Sequence, residues 1–357
     1  MLAAFVIHNA NKCVILAHVI VLGFLSEQIS AGDLSPPWFL LPTNRSLIVV
    51  IIHMKKTPLI YHRLYDLPLP EKHRFPGSKY SLLIKILESK GLLQNFLRYS
   101  PKPATAAQLS IVHDQNYLQA VESGNLSKQH ETRIGLPWSE MLKKRSFAAA
   151  NGTLLAAQLA LQTGIACHAA GGTHHAHSDF GAGFCVFNDL AFASRALIEL
   201  KLAKRVLIFD CDVHQGDGTA RILTKDKNIF TCSIHCADNY PTKKAKSDLD
   251  IPIPSGAGDE QYLALLTRCL SKIADTSFLP DLVIYDAGVD VHSRDKLGLL
   301  EMTSDGIEAR DRYVLSHFKK RRIPIATTMG GGYGETPEEV ANRHSILFKV
   351  VGSIFKE

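Results

Sequence analysis

The chain of 357 residues has no long uninterrupted apolar run, little net charge and no paired-cysteine framework. Its longest apolar stretch, Cys13 to Leu25, contains His18 and falls short of the roughly 20 residues that a membrane span needs, so no stable span is expected. The formal charge of +6 is mild, and the longest basic block is Lys319-Lys320-Arg321-Arg322. Such a block reads as a solvated helix end, so no direct nucleic-acid binding is expected. Seven cysteines is an odd number, and Cys167, Cys185, Cys211, Cys232, Cys236 and Cys269 lie in apolar surroundings. That excludes a disulfide scaffold and fits free thiols in a reducing cytosol. There is no internal repeat and no linker, while 46% apolar content is enough for a sizeable core.

Residues 1–53 differ from the rest, with Lys12, Arg45, Glu27 and Asp33 as their only fixed charges. The Cys13 to Leu25 run has the length of a signal-peptide core, with Ser26 to Ala31 as its cleavage region, but only Lys12 and the α-amino group precede it. The competing reading is an upstream extension ahead of a start at Met54. The expectation is therefore an extension over 1–53, a main domain over 54–357 and a cytoplasmic location, with a secretory signal as the alternative.

From Pro58 onward, short apolar runs alternate with longer amphipathic ones, the pattern of a mainly parallel sheet with helices on its faces. Strands are predicted at Pro58 to Tyr61, Leu109 to Val112, Ile165 to Ala169, Val206 to Asp210, Ile229 to Ile234, Leu282 to Tyr285 and Pro324 to Thr328. Helices are predicted over Ser78 to Lys90, Asp114 to Glu122, Ser139 to Gln162, Asn188 to Leu202, Asp259 to Ile273, Ser304 to Phe318 and Pro337 to Phe355. Four polar clusters follow strands directly: His174-His175, Asp212 with His214, Asp290, and Gly330-Gly331-Gly332-Tyr333. Ligands of parallel sheets bind at the carboxyl ends of the strands, so these clusters should share one rim.

Asp212, His214 and Asp290 offer two carboxylates and an imidazole, a donor set for a catalytic divalent metal that leaves room for water and a carbonyl. The tandem His174-His175 can supply a base and an acid, with Asp210 and Asp217 as the available carboxylate partners. Tyr333, brought in on three glycines, can donate its hydroxyl to a tetrahedral oxyanion. Taken singly, Asp290 also reads as a helix cap and Gly330 to Gly332 as a tight turn. Their joint occurrence in strand order is what points to chemistry.

The runs Gly171-Gly172-Thr173-His174-His175-Ala176, Gly183-Phe184-Cys185-Val186-Phe187-Asn188-Asp189, Asp210 to Gly218, Ala287-Gly288-Val289-Asp290 and Gly330-Gly331-Gly332-Tyr333 resemble the zinc-dependent histone deacetylase family. The resemblance runs from about Pro58 to the C-terminus, and His73-Arg74-Phe75-Pro76 and Asp295-Lys296-Leu297-Gly298 are most similar to class IV and related bacterial members. It implies a single three-layer α/β/α domain of the arginase–deacetylase type with a central, mainly parallel eight-stranded sheet. It puts Asp212, His214 and Asp290 on zinc (Zn2+), His174 and His175 in catalysis with Asp210 and Asp217 behind them, and Tyr333 on the oxyanion. It further implies a structural potassium ion (K+) at Asp210, Asp212 and Ser233 with backbone oxygens of His214 and Ile234. Gly183, Phe184 and Tyr240 would line an acyl-lysine tunnel. Gln215 departs from the second histidine of many eukaryotic members, which bears on subclass and not on mechanism.

The implied substrate is an acylated lysine in a protein or peptide, or an acylated polyamine, since either keeps all of these residues. Two rivals are a two-metal ureohydrolase on the same fold and an inactive acyl-lysine-binding module. The first would want more bridging carboxylates and histidines. The second would show losses among the ligands or at Tyr333, and all of them are present.

Overall fold

The strands that carry the site are short, nearly continuous apolar runs, as expected where a sheet is covered on both faces. In the computed structural model, which describes residues 56–355 except Glu71, the strands are β1 (Thr57–Ile60), β2 (Phe96–Tyr99), β3 (Ile165–His168), β4 (Val206–Asp210), β5 (Ile229–Cys236), β6 (Leu249–Ile253), β7 (Leu282–Asp286) and β8 (Ile325–Thr328). All pair in parallel in the order β2-β1-β3-β8-β7-β4-β5-β6. Every residue of β3, β4, β7 and β8 is buried. The segment 1–53 lies outside the described residues.

Helices close the crossovers, and their ends follow local capping chemistry. The helix Glu140–Thr163 begins where Ser139 accepts a hydrogen bond from the Leu142 amide and ends at Gly164 in a left-handed conformation. Its alanine-rich middle lets it lie close on β1, β3 and β8. Asp189–Glu199, Ser304–Lys320 and Pro337–Ile354 start at Asn188, Thr303 and Thr336, each accepting from an amide of its own first turn. Lys79–Ser89, Gln115–Ser123 and Asp259–Ala274 complete the long helices expected from the sequence.

Three local expectations are corrected. Leu109 to Val112 is not a strand: Leu109 ends the short helix Ala106–Leu109, started by a Thr105/Gln108 capping box, and a turn follows before Asp114 caps the next helix. The edge strands β2 and β6 were absent from the expectation, because Arg98 and Pro252 interrupt their apolar pattern. The helices Lys128–Ile134 and Asp217–Leu223 were also absent, being too short for a clear period.

The four strands followed by the polar clusters, β3, β8, β7 and β4, are consecutive at the centre of the sheet. Asp210 at the end of β4 is in register with Asp286 of β7 on one side and Ser233 of β5 on the other. Four loops therefore emerge side by side at one level.

Candidate functional site

Asp212, His214 and Asp290 meet at one point in the interior, with a ligand atom from each within 4.8 Å of the others. His214 Nδ1 lies 3.0 Å from Asp212 Oδ1 and 3.1 Å from Asp290 Oδ2. Backbone amides aim the carboxylates. Asp212 accepts from the amides of His214 at 2.9 Å and Gly331 at 2.6 Å, and Asp290 accepts from that of Val213 at 2.9 Å. Burial pulls the His214 imidazole down, but hydrogen bonds and charge from Asp212 and Asp290 outweigh it and carry it up to about 10. Burial and the Asp212 charge push Asp290 up to about 7. Two buried carboxylates facing one imidazole are costly without a cation, and the donor set suits a divalent metal. The residues fit such an ion.

The paired histidines sit beside this cluster, their rings 4.2 Å apart. His174 Nδ1 bonds Asp210 Oδ2 at 2.8 Å, and His175 Nδ1 bonds Asp217 Oδ1 at 2.8 Å. With both Nδ1 atoms engaged, the Nε2 atoms are free to face the site. Their environments differ. Burial lowers His174, yet the charges of Asp210, Asp212 and Asp286 raise it well above its ordinary range. Burial and the neighbouring His174 charge lower His175 to about 4. Asp217 also accepts from His177 at 3.1 Å, and these two histidines hold its carboxylate well below its usual range against the effect of burial.

Tyr333 follows the glycine turn after β8, its ring 6.4 Å from that of His214. Burial and the Asp212 and Asp290 charges raise its hydroxyl well above 10, so it remains a proton donor. Glycine is required where this turn meets the loop after β3 and the carboxylates. A Cβ at Gly172 would meet the Gly330 Cα at 2.6 Å, and one at Gly331 would meet Asp290 Oδ2 at 2.1 Å. Phe184 and Tyr240 flank the approach: Phe184 lies 5.7 Å from the Tyr333 ring, and Tyr240 stands edge-on to His175 at 4.8 Å while 46% exposed. Phe184 adopts φ 66°, an uncommon left-handed conformation, and its amide is fixed on the Ile134 carbonyl at 2.7 Å. Gly183 packs under the His175 ring, where a Cβ would lie 2.5 Å from Cδ2.

Of the expected monovalent-ion residues, Asp210 ends β4 with Asp212 and His214 just beyond it, while Ser233 and Ile234 lie within the neighbouring β5. Ser233 Oγ pairs with His235 Nδ1 at 3.0 Å. A second group of possible ligands instead joins His174 and Asp212 to Asp286, which sequence reading missed. Asp286 is fully buried, takes a 2.8 Å hydrogen bond from Thr328, and leaves Oδ2 unpartnered 4.0 Å from His174 Nδ1. Its signal was present: it ends a strand four residues before Asp290, as Asp210 ends one two residues before Asp212. Arg310 was missed as well. Wholly buried, it donates to the carbonyls of Cys211 at 3.2 Å and Gly288 at 2.6 Å, tying the Asp212 loop to the Asp290 loop. Asp311, itself bonded by the Tyr285 hydroxyl at 2.6 Å, holds that guanidinium at 2.9 Å. No sequence motif announces a helix residue in this role.

Cys185 and Cys211 are buried and belong to neither group of possible ligands. Among the described residues no helix is long and apolar enough to cross a membrane.

Residues 73–348 match the family model of the histone deacetylase domain. The chain is 45% identical over 298 residues to an uncharacterized protein of Picosynechococcus sp., covering 84% of this chain and 99% of that one. It is 31% identical over 302 residues to Histone deacetylase 2 of Arabidopsis thaliana, covering 81% and 78%. Among solved structures, a histone deacetylase homolog complexed with SAHA superposes with a TM-score of 0.71 at 23% identity, covering 84% of each chain.

Proposed function

Because this chain belongs to the histone deacetylase family, we propose that it is a zinc-dependent amidohydrolase that removes acetyl or longer acyl groups from the ε-amine of lysine in proteins or peptides. The observation that carries this reading is the gathering of the Asp212–His214–Asp290 cluster, two His–Asp pairs and the Tyr333 ring, 6.4 Å from that of His214, in one buried region. Zinc, when bound by those three residues, would polarise the amide carbonyl and make water acidic. His175, held uncharged, is placed to take the proton of the attacking water, and Asp217 fixes its tautomer. His174, held charged by Asp210, is placed to give a proton to the departing amine. Tyr333 donates to the oxyanion. The amide C–N bond breaks, the water oxygen stays with the acyl carbon, and a carboxylate and a free lysine amine result. Phe184 and Tyr240 would hold the lysine side chain between them. Asp210, Asp212 and Ser233, with the His214 and Ile234 carbonyls, would hold a potassium ion under the site.

The test is acyl release by zinc-loaded protein from acetyl-lysine peptides, long-chain acyl-lysine peptides and acetylpolyamines. Turnover of the peptides is expected. No turnover of any acyl amide would remove the activity, and turnover of polyamines alone would replace the substrate.

A further inference from the structure

The mouth of the site is framed by four surface segments, three of which carry exposed basic residues without an ion-pair partner among the described residues. Residues 72–75 reach it through His73 and Phe75, whose rings lie 6.1 and 5.4 Å from Phe184. Residues 133–135 reach it through backbone bonds, the Gly183 amide to the Arg133 carbonyl at 3.0 Å and the Phe184 amide to Ile134. Residues 238–246 carry Tyr240, and Lys244 braces this loop by donating to the carbonyls of Asn239 and Pro241. Residues 294–299 join it through Asn239 Nδ2, which donates to the Leu297 carbonyl at 2.6 Å.

Lys72, Arg74, Arg133, Lys243 and Lys246 are exposed on these segments, and none forms an ion pair among the described residues. Arg294 and Lys296, by contrast, are neutralised by Glu339 and Glu335 at 3.1 and 2.8 Å. Besides Glu335, which is already paired with Lys296, the exposed acids near the mouth are Asp179 and Asp238, and Asp238 accepts from Ser255 at 2.7 Å. Arg133 sits over the Phe180 ring at 4.9 Å, and Phe180 in turn stacks on His177, the partner of Asp217, at 4.3 Å. Unpaired exposed charges cost nothing to leave in water and act on whatever approaches them.

We propose that this basic rim selects acyl-lysines flanked by acidic residues and turns away acylated polyamines, whose remaining ammonium groups would face it. The substrate is then a protein or peptide with an anionic segment around the modified lysine. This rests on the amidohydrolase reading above and names the substrate class of the same site.

The experiment uses zinc-loaded full-length protein and acetyl-lysine peptides identical except for Glu, Gln or Lys at the flanking positions, with acetylspermidine alongside. At low salt kcat/KM should fall in the order Glu, Gln, Lys, spanning about tenfold, with acetylspermidine below the Gln peptide. The span should shrink to about twofold near 0.5 M NaCl, where screening reaches only a few ångströms. The double variant Lys243→Glu/Lys246→Glu should narrow or reverse the Glu-over-Lys ratio. Equal rates, a preference for the Lys peptide or acetylspermidine, or an order insensitive to salt and to charge reversal would overturn the proposal. Anisotropy of the labelled peptides runs in parallel. If nothing is turned over but the Glu peptide binds tightest with the same salt and variant dependence, the rim inference stands and the activity reading falls. Equal binding would defeat the rim inference itself.

Discussion

Gly331→Ala adds one methyl group at the point where the structure leaves least room for it. The new Cβ would lie 2.1 Å from Asp290 Oδ2 and 2.6 Å from Asp212 Oδ2, against about 3.4 Å for ordinary contact. Relieving the first overlap alone requires a displacement of 3.4 − 2.1, about 1.3 Å. Neither carboxylate can swing aside freely, because Asp212 Oδ2 is bonded to the Gly331 amide itself and Asp290 Oδ1 to that of Val213. Metal–ligand distances tolerate only about ±0.2 Å. Loss of an orienting partner one step outside a metal already costs about 10–100-fold in affinity, so direct displacement of a ligand should cost at least about 100-fold. The assay is zinc affinity by chelator competition, with metal content after dialysis and circular dichroism to confirm the fold. Gly258→Ala is the control, since its Cβ would meet only the Glu301 carbonyl at 3.7 Å. Wild-type zinc affinity in Gly331→Ala would refute the assignment of Asp212 and Asp290 as ligands.

Asp290→Ala should lose bound zinc and activity together, and full zinc content measured in that variant would contradict its role. Tyr333→Phe should keep the metal while kcat drops by about a hundredfold or more, as for other single oxyanion donors; a near-normal kcat would assign the oxyanion to another group. Arg310→Met leaves Asp311 buried without its cation and frees the Cys211 and Gly288 carbonyls, so denaturant unfolding should show a loss of about 3–5 kcal/mol and zinc should bind more weakly, with partial rescue by Arg310→Lys. An unchanged unfolding midpoint would count against the strap. Burial holds His168 down to about 3 and His113 to about 4, both below the ordinary 6.5. The unfolded chain thus binds more protons between these values, and stability present above pH 6.5 is lost as pH falls toward 3, at about 1.4 kcal/mol per pKa unit for each group. Urea titrations at pH 7 and pH 5 test this, and equal stabilities would show that neither ring is held neutral.

Legibility followed the range of the interactions involved. The periods of apolar residues and the caps at Ser139, Asn188, Thr303 and Thr336 are local, and the long helices and central strands were readable from them. Asp212, His214, Asp290, the two histidines and Tyr333 were readable because each sits just after a strand, and parallel strands deliver such loops to one edge. The edge strands β2 and β6 were not, since an edge tolerates Arg98 and Pro252 and so loses the pattern that betrays an inner strand. Nor could the sequence place Asp286 against His174, or Arg310 under both the Asp212 and the Asp290 loops. Those contacts join residues 112 and 99 positions apart, counting from His174 to Asp286 and from Cys211 to Arg310, and each exists only through the strand order and register of the sheet. The sequence by itself determined which chemical groups the protein possesses and at which strand ends they lie. Only the tertiary structure decided which groups share a proton, which carboxylate stands unpartnered and which arginine ties the Asp212 and Asp290 loops together, because these depend on ångström-scale distances between segments that no local pattern encodes.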